Sequence, residues 1–272
     1  MLKQRIFTAL ILIPLFITLV LSLSQEYFAV LTGAIVFWCA WEWSGLLGVK
    51  SFSKKIIYPW IIIALLLTIV YLLSRHIISV RPLLYAGFIW WLIAGVLVVL
   101  YPRYSEIWGK GVCLRGIMGC MVLIPCWVAL NFIRATPSGA YMILFLFVLI
   151  WGADSGAYFA GKLWGKNKLM PEVSPGKTWQ GLWGALLTSM LIVVIAMIVL
   201  KFQSSLLIAW LLLACIIVLF SVLGDLFESM LKRKAGIKDS GTLLPGHGGM
   251  LDRIDSLTAA APIFALAILL IG

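Results

Sequence analysis

The chain has 272 residues, of which 63% are hydrophobic and only 11% are charged, and it carries a formal net charge of +11 at pH 7. Soluble domains average about 25% charged residues, so this composition excludes an ordinary soluble globular domain and indicates a protein that faces lipid. The excess of lysine and arginine does not indicate a nucleic-acid partner, because no basic stripe carries a nucleic-acid-binding motif and loop lysines commonly set membrane topology.

Long apolar segments follow one another along the whole chain, each close to the roughly 20 residues that cross a bilayer as a helix. They lie at about 6–23, 27–47, 57–73, 83–101, 112–132, 139–161, 181–200, 205–226 and 254–272. Such continuous runs disfavour a β-barrel, whose strands are short and alternating. We therefore predict an all-α integral membrane protein with about nine transmembrane helices. No repeat or linker divides the chain, so we expect a single polytopic domain over 1–272.

The first apolar segment has a rival interpretation as a cleaved signal peptide, because Lys3 and Arg5 precede it and Ser22-Leu23-Ser24 faintly resembles a cleavage site. The segment is longer than the roughly 7–15 apolar residues of a signal peptide. We therefore expect an uncleaved first span.

The distribution of lysine and arginine predicts the orientation of the spans. If the N-terminus is cytoplasmic, the basic residues on the opposite side are only Arg75, Arg81, Arg134 and Lys201, out of 21 in the chain. Cytoplasmic loops are enriched in such residues, so we predict a cytoplasmic N-terminus and a periplasmic C-terminus. The two longest polar loops, 162–180 and 227–253, then both face the cytoplasm.

The acidic residues concentrate in the second half of the chain. Seven of the ten lie between 154 and 255, namely Asp154, Glu172, Asp225, Glu228, Asp239, Asp252 and Asp255. A functional role is the default interpretation for carboxylates in or beside membrane helices.

Two of these acids lie on each side of the second polar loop. Asp225 and Glu228 are three residues apart, as are Asp252 and Asp255, so each pair would project from one helix face. Two antiparallel helices could bring the pairs together as oxygen ligands for Mg²⁺. The alternative is that Asp252 merely pairs with Arg253 or a nearby lysine and fixes a helix end.

The loop 227–253 is suited to anionic groups. It contains Lys232-Arg233-Lys234, then Lys238-Asp239-Ser240-Gly241, then Pro245-Gly246-His247-Gly248-Gly249. Basic side chains and glycine-rich backbone can hold phosphate oxygens. By themselves the basic residues could equally anchor topology or bind anionic headgroups, and the glycines could form a turn. His247 could donate to phosphate, carry a proton or order the loop.

The other long loop follows Trp151-Gly152-Ala153-Asp154 and contains Ser174-Pro175-Gly176-Lys177-Thr178. The spacings Gly152/Gly156 and Gly161/Gly165 are typical of close helix packing, which would place Asp154 inside a packed bundle. The segment from Ser174 to Thr178 resembles a phosphate-binding turn but lacks the P-loop spacing.

Together these segments resemble a family signature. The segment from residue 229 to residue 255 reads Ser229-x-Leu231-Lys232-Arg233, four residues, Lys238-Asp239-x-Gly241, two residues, and Leu244-Pro245-x-His247-Gly248-Gly249-Met250-x-Asp252-Arg253-Ile254-Asp255. This pattern looks like the complete signature of the phosphatidate cytidylyltransferase family. The block from Trp151 to Thr178 is similar to the family as well, and the chain most resembles its members from Gram-negative proteobacteria. One departure is Gln180, where many members carry Glu; any role of that Glu in holding metal or orienting Lys177 is weakened here.

The resemblance implies an α-helical homodimer in the bacterial inner membrane that converts CTP and phosphatidate to CDP-diacylglycerol and pyrophosphate with Mg²⁺. A second, monovalent cation is a further expectation. The family's metal-binding carboxylates match Asp225 and Asp252, and we expect Asp255 as a third ligand or as a neighbour of the ligands. On this basis 139–272 would hold the catalytic helices and loops, and 1–135 the scaffold helices.

Further site residues follow from the same resemblance and from the needs of phosphate chemistry. Five basic residues would neutralise the phosphates of CTP or of the lipid. They are Lys177, Lys232, Arg233, Lys238 and Arg253. Hydroxyl or backbone donors would come from Ser174, Gly248 and Gly249, and Asp239 and His247 complete the expected site. Asp154 would hold a second ion or orient Lys162 or Lys177.

Other functions compete with this one. Carboxylates in membrane helices also mark ion pathways, so a cation- or proton-coupled transporter is the main alternative, although its acids should spread towards the middle of the membrane. A CDP-alcohol phosphotransferase would need a longer run of spaced aspartates, which the sequence lacks. A CTP-dependent lipid kinase would transfer the γ-phosphoryl group instead.

Overall fold

The computed structural model describes residues 13–49, 51–109, 111–199, 206–241, 243 and 248–271. Helices account for most of it. The elements are α1 Ile13–Ser22, α2 Gln25–Leu46, α3 Phe52–Lys55, α4 Ile57–Ser74, α5 Val80–Val99, α6 Ser105–Gly109, α7 Val112–Ala135, α8 Gly139–Trp164, β1 Lys168–Met170, β2 Ser174–Thr178, α9 Trp179–Val199, α10 Leu207–Ala235 and α11 Leu251–Ile271.

Within the described part of the chain, eight helical segments are long and apolar enough to span a membrane. They are α2, α5, α7, α8, α9, α10, α11 and the continuous segment formed by α3 and α4. These segments match the predicted runs from 27–47 to 254–272, so the prediction of an all-α membrane protein is confirmed. The remaining predicted run, 6–23, is described only from Ile13, where α1 is a shorter apolar helix.

The centre of the bundle is formed by α7 and α11. In each of these helices, 61% of an 18-residue apolar stretch is buried inside the protein. One hydrophobic core connects the two halves of the chain and includes Trp43, Trp91 and Phe227. By contrast, α4 and α9 lie at the outside and expose large apolar side chains such as Leu67 and Ile198. Exposed apolar side chains on outer helices are expected where the surrounding medium is lipid.

A short antiparallel hairpin of β1 and β2 interrupts the helical pattern, in the polar loop that was not predicted to hold strands. Lys168 pairs with Thr178 and Met170 pairs with Ser174. The backbone N–H of Trp179 donates to the carbonyl of Asn167 at 3.0 Å and closes the base of the hairpin. The hairpin therefore presents the segment that begins at Ser174 as an ordered strand immediately before α9.

Glycines allow α8 and α9 to approach closely, as their spacing predicted. A side chain at Gly156 would overlap Thr188 Oγ1 and lie 2.7 Å from the carbonyl oxygen of Gly184. A side chain at Gly184 would in turn lie 2.6 Å from the carbonyl oxygen of Gly156 and overlap Ala160 Cβ. This contact holds α8 against the helix that follows the hairpin. The prediction that it would enclose Asp154 in the packed bundle is wrong, because the Asp154 side chain is exposed.

Gly156→Ala is expected to destabilise the protein by about 1–3 kcal/mol, because the added methyl has no room between the two backbones. The measurement is the thermal unfolding midpoint in detergent. Gly95→Ala is the matched control, since the nearest atom to its new methyl would be Leu223 Cδ2 at an ordinary 3.6 Å and alanine favours helix over glycine. Equal midpoints for both variants would contradict the close packing of α8 and α9.

Candidate functional site

The end of α10 is fixed by a glycine. Gly236 has φ +71°, and its N–H and that of Ile237 donate to the carbonyls of Arg233 and Lys232. A left-handed glycine that ends a helix in this way satisfies carbonyls that would otherwise lack partners. Lysine and arginine in the last turn also complement the negative end of the helix dipole. The cap thus sets where the basic end of α10 stops.

The start of α11 packs directly against α10. A side chain at Gly224 would overlap the carbonyl oxygen of Asp255 and lie 3.1 Å from Ala259 Cβ. Only a glycine permits this approach, and it lies beside Asp225. The two pairs of acids that flank the polar loop are therefore brought to the same level of the bundle, as the sequence predicted.

The first group of charges joins α10 to α11 through Lys232. Its Nζ lies 2.6 Å from Asp252 Oδ1 and 3.2 Å from Glu228 Oε1. Asp252 Oδ2 accepts hydrogen bonds from Gly249 N at 2.8 Å, Ser240 N at 3.0 Å and Ser240 Oγ at 2.9 Å. Both oxygens of Asp252 are thus held in place, one by a lysine and one by the signature loop.

The second group joins the hairpin to α10. Lys177 Nζ lies 2.6 Å from Asp225 Oδ2, and Ser229 Oγ donates to Asp225 Oδ1 at 3.2 Å. Both charged side chains line a cavity of about 500 Å³ between α8, α9, α10 and the hairpin, together with Asp154 and Lys162. A volume of this size is typical of small-molecule sites.

Asp255 connects the two groups. It lies within electrostatic reach of Asp225, Lys177 and Lys232, and its Oδ1 accepts the N–H of Ser256 at 2.6 Å. Its position makes the two groups one continuous site instead of two separate ion pairs.

The site holds more carboxyl groups than ammonium groups. The carboxyl groups of Asp154, Asp225, Glu228, Asp252 and Asp255 outnumber the ammonium groups of Lys177 and Lys232. Glu228 is only 3% exposed, and in the described part of the chain its Oε1 forms an ion pair with Lys232 Nζ at 3.2 Å. Several carboxyl oxygens close together are the ligand type that a hard divalent cation such as Mg²⁺ prefers, so the residues present fit such a cation.

The fit to Mg²⁺ does not depend on a closed cage of protein ligands. Among the residues that the structure describes, no three His, Cys, Asp or Glu side chains are already grouped as a metal site. Mg²⁺ is commonly held by one or two carboxylates and completed by substrate phosphates and water. Of the three expected ligands, Asp225 is paired with Lys177 and Asp252 with Lys232, whereas Asp255 forms no ion pair with another described residue.

The other predicted residues lie around this centre. Arg233 Nε donates to the carbonyl of Val173 at 3.3 Å and ties α10 to the hairpin. Lys238 and Asp239 are exposed in the loop after α10, whereas Ser174 is partly buried in β2 and Gly249 is buried beside Ser240.

The remaining predicted residues are Gly248, Arg253 and His247. Gly248 has φ +83°, and a side chain there would lie 3.0 Å from Asp252 Oδ2. Arg253 does not line the cavity of Lys177 and Asp225; it borders a separate apolar cavity that also contacts Phe16, and it is engaged in an interaction of its own. His247 lies outside the described residues.

Gln180 closes the loop after α8. Its Oε1 accepts the backbone N–H groups of Lys166 at 3.2 Å and Asn167 at 3.3 Å. A glutamate at this position could accept the same two hydrogen bonds, because both amide and carboxylate oxygens are acceptors. The departure from the family pattern therefore leaves these contacts intact.

Sequence reasoning missed Glu42 as a neighbour of the site. Glu42 lies in α2, is 4% exposed and accepts hydrogen bonds from Ser240 Oγ and from the backbone N–H groups of Met250 and Leu251. The signal was available, because an acid inside an apolar span suggests function by the same rule that singled out Asp154. Glu228 was noticed as an acid but was not included among the expected site residues.

The fold and the site define a polytopic helical membrane protein with a charged cavity built from the signature loop, the hairpin and the helices beside them. The model of the Cytidylyltransferase family matches residues 3–271, and the chain belongs to this family. It is 43% identical to a phosphatidate cytidylyltransferase of Pseudomonas aeruginosa, over 97% of this chain and 96% of that protein. Phosphatidate cytidylyltransferases of Haemophilus influenzae and Brucella suis are 37% and 34% identical over 97% of the chain, covering 98% and 92% of those proteins.

Proposed function

We propose that the protein is a phosphatidate cytidylyltransferase, which joins CTP and phosphatidate to give CDP-diacylglycerol and pyrophosphate. The observation that carries this function is the meeting of two distant segments at one cavity, since Lys177 of the hairpin pairs with Asp225 of α10. The relatives named for this activity match the chain over nearly its whole length. A transporter is less well supported, because the charged groups gather where loops meet helices and not along a path through the bundle.

The reaction needs charge neutralisation and alignment more than a strong base. The phosphate of phosphatidate is largely ionised near neutral pH, since phosphate esters lose their second proton with a pKa of about 6. One of its oxygens attacks the α-phosphorus of CTP, a new P–O bond forms, and the bond from the α-phosphorus to the bridging oxygen of the β-phosphate breaks. Pyrophosphate leaves with that electron pair, and positioning and electrostatics account for most catalysis in such transfers.

Two lysines that could neutralise phosphate charge are already held in place by carboxylates of the protein. Lys177 and Lys232 are bound to Asp225 and Asp252 before substrate arrives. Phosphate oxygens would take up their free N–H bonds or replace the carboxylates, since charge-assisted hydrogen bonds to phosphate are strong. We assign Lys177 to the cavity side, where Asp154 would orient it.

Mg²⁺ is part of the proposal, with Asp225, Asp252 and Asp255 as the residues that would hold it. When bound there it would neutralise phosphate charge and help to align the reacting oxygens. If Asp252 held Mg²⁺, Lys232 would have to turn from that carboxylate, and a substrate phosphate would be a suitable new partner for its ammonium group. A second, monovalent cation remains part of the same proposal.

We further propose that the site faces the cytoplasm of a bacterial cell, in the inner membrane, because CTP is soluble and the basic loops predict this side. The two long polar loops lie at one end of the bundle, as Arg233 of one contacts Val173 of the other. A homodimer is proposed on the family resemblance alone.

The function is tested with purified protein in detergent, phosphatidate and CTP labelled either at the α-phosphate or at the γ-phosphate. Transfer of the α-label into lipid, dependent on both phosphatidate and Mg²⁺, is the expected result. Transfer of the γ-label alone would identify a CTP-dependent lipid kinase. No labelled lipid from either nucleotide, with protein that elutes as a single folded species, would contradict both activities.

A further inference from the structure

Glu42 is a buried acid, and the hydrogen-bond donors around its carboxylate are all uncharged N–H and O–H groups. Oε1 accepts hydrogen bonds from Trp38 Nε1 at 3.2 Å and Met250 N at 3.0 Å, and Oε2 accepts them from Leu251 N at 2.7 Å and Ser240 Oγ at 3.1 Å. Within the described part of the chain its carboxylate forms no ion pair with a lysine or arginine. A buried carboxylate is tolerated only when such donors satisfy it.

Two of these donors lie where α11 begins: Leu251 N is the first N–H group of the helix, and Met250 N immediately precedes it. The opening N–H groups of a helix have no partners inside the helix, and the positive end of its dipole favours a carboxylate. Here the carboxylate comes from α2, more than two hundred residues away in sequence. An acid of the N-terminal half therefore fixes the point at which α11 begins.

Ser240 links Glu42 to Asp252. Its Oγ lies 3.1 Å from Glu42 Oε2 and 2.9 Å from Asp252 Oδ2, and a hydroxyl group has a single proton to donate. The two carboxylates therefore share or exchange that proton. If Asp252 turns to another partner, Ser240 can still donate to Glu42 and keep its place.

The glycines of the signature loop leave the room that Glu42 occupies. A side chain at Gly249 would lie 2.6 Å from Glu42 Oε2 and overlap Ser240 Oγ, and one at Gly241 would overlap the same carboxylate. The loop is thus shaped around Glu42, which gives these two glycines a reason that does not involve a substrate.

We infer that Glu42 is a positioning residue for Asp252, acting through Ser240 and through the N–H groups of Met250 and Leu251 where α11 begins. Its importance for the reaction rests on the proposed function. Its role in ordering the loop does not, because that role is visible in the contacts themselves. The residue reaches the site from the half of the chain that was expected to be scaffold.

The first test is Glu42→Gln in the full-length protein in detergent, followed by hydrogen–deuterium exchange of peptides that cover 238–255. The glutamine keeps the size but offers a single acceptor oxygen, and its NH₂ group must face a donor. Hydrogen–deuterium exchange of the 249–252 backbone amides is expected to become about tenfold faster, and the reaction rate at saturating substrates is expected to fall about tenfold. A tenfold change corresponds to the loss of one hydrogen bond as strong as those that cap helices.

Glu26→Gln is the matched control, because Glu26 lies in the same helix, is exposed and contacts Ser24 instead of the loop. Wild-type exchange across 238–255 in Glu42→Gln would overturn the inference, as would faster exchange spread evenly over all helices. Should Glu42→Gln fail to fold, Glu42→Asp keeps the charge, shortens the reach by one methylene and should raise exchange in the same peptides. If the wild-type protein lacks transfer activity, the proposed function fails while the exchange result still decides the role of Glu42.

Discussion

Asp252→Asn is expected to lower the rate of cytidylyl transfer by about 10²–10³-fold, the size of loss seen when one preorganised electrostatic contact is removed. Asp252 is the point at which Lys232, Ser240 and Gly249 meet. An asparagine keeps the shape but loses the charge that holds Lys232 and that would attract Mg²⁺. The measurement is incorporation of α-labelled CTP into lipid at saturating substrates.

The loss must be shown to arise in a folded protein. Elution as a single species in detergent and an unfolding midpoint close to that of the wild type are expected, since the backbone contacts of Ser240 and Gly249 can still reach the asparagine oxygen. Glu172→Gln removes an exposed acid near the hairpin turn and serves as the control with wild-type activity. A folded Asp252→Asn protein with normal turnover would contradict the assignment of Asp252 to the reaction.

The membrane helices could be predicted because hydropathy is a local property of the chain. Each span is a continuous run of about 20 residues, so no knowledge of its neighbours is needed. The hairpin of β1 and β2 could not be predicted in this way. Its strands have three and five residues, too few to show an alternating pattern, and it is held by tertiary contacts such as the one between Arg233 and Val173.

The sequence predicted that the acids beside the polar loop would lie near one another, but it did not predict their pairings. The three-residue spacings put Asp225 and Glu228 on one helix face and Asp252 and Asp255 on another, and in the structure Asp255 lies within electrostatic reach of both Asp225 and Glu228. The sequence left open whether Asp252 pairs with Arg253 or with a lysine, and the structure selects Lys232. Such choices depend on the direction of each side chain across a helix interface, which spacing alone does not give.

The contacts of Glu42 show most clearly what could not be predicted from the sequence. Its contacts with Met250 and Leu251 join residues 208 and 209 positions apart, and no local pattern links α2 to the signature loop. Only the burial of an acid in an apolar span could have marked it. The two halves of the chain therefore cooperate in one site, although the chemistry-bearing residues are concentrated in the second half.

Lys177→Met is expected to reduce transfer by about 10²-fold or more, comparable to the loss of one transition-state electrostatic contact. Lys177 is the cation on the wall of the cavity that pairs with Asp225. Methionine keeps most of the apolar stem but removes the charge, so the phosphate loses its partner and Asp225 and Asp154 are left facing each other. Initial rates measured as each substrate is varied in turn will show which phosphate Lys177 binds, because KM rises for that substrate if contact is made before the transition state.

Lys166→Met is the control for Lys177→Met, since Lys166 is exposed in the same loop and its backbone N–H, not its side chain, contacts Gln180. Wild-type activity is expected for this control. Lys177→Arg separates charge from shape: a guanidinium can neutralise phosphate but cannot place a single ammonium 2.6 Å from Asp225 Oδ2, so partial activity is expected. Full activity in Lys177→Met would show that the pair with Asp225 only stabilises the fold, and the hairpin would then have no part in binding phosphate.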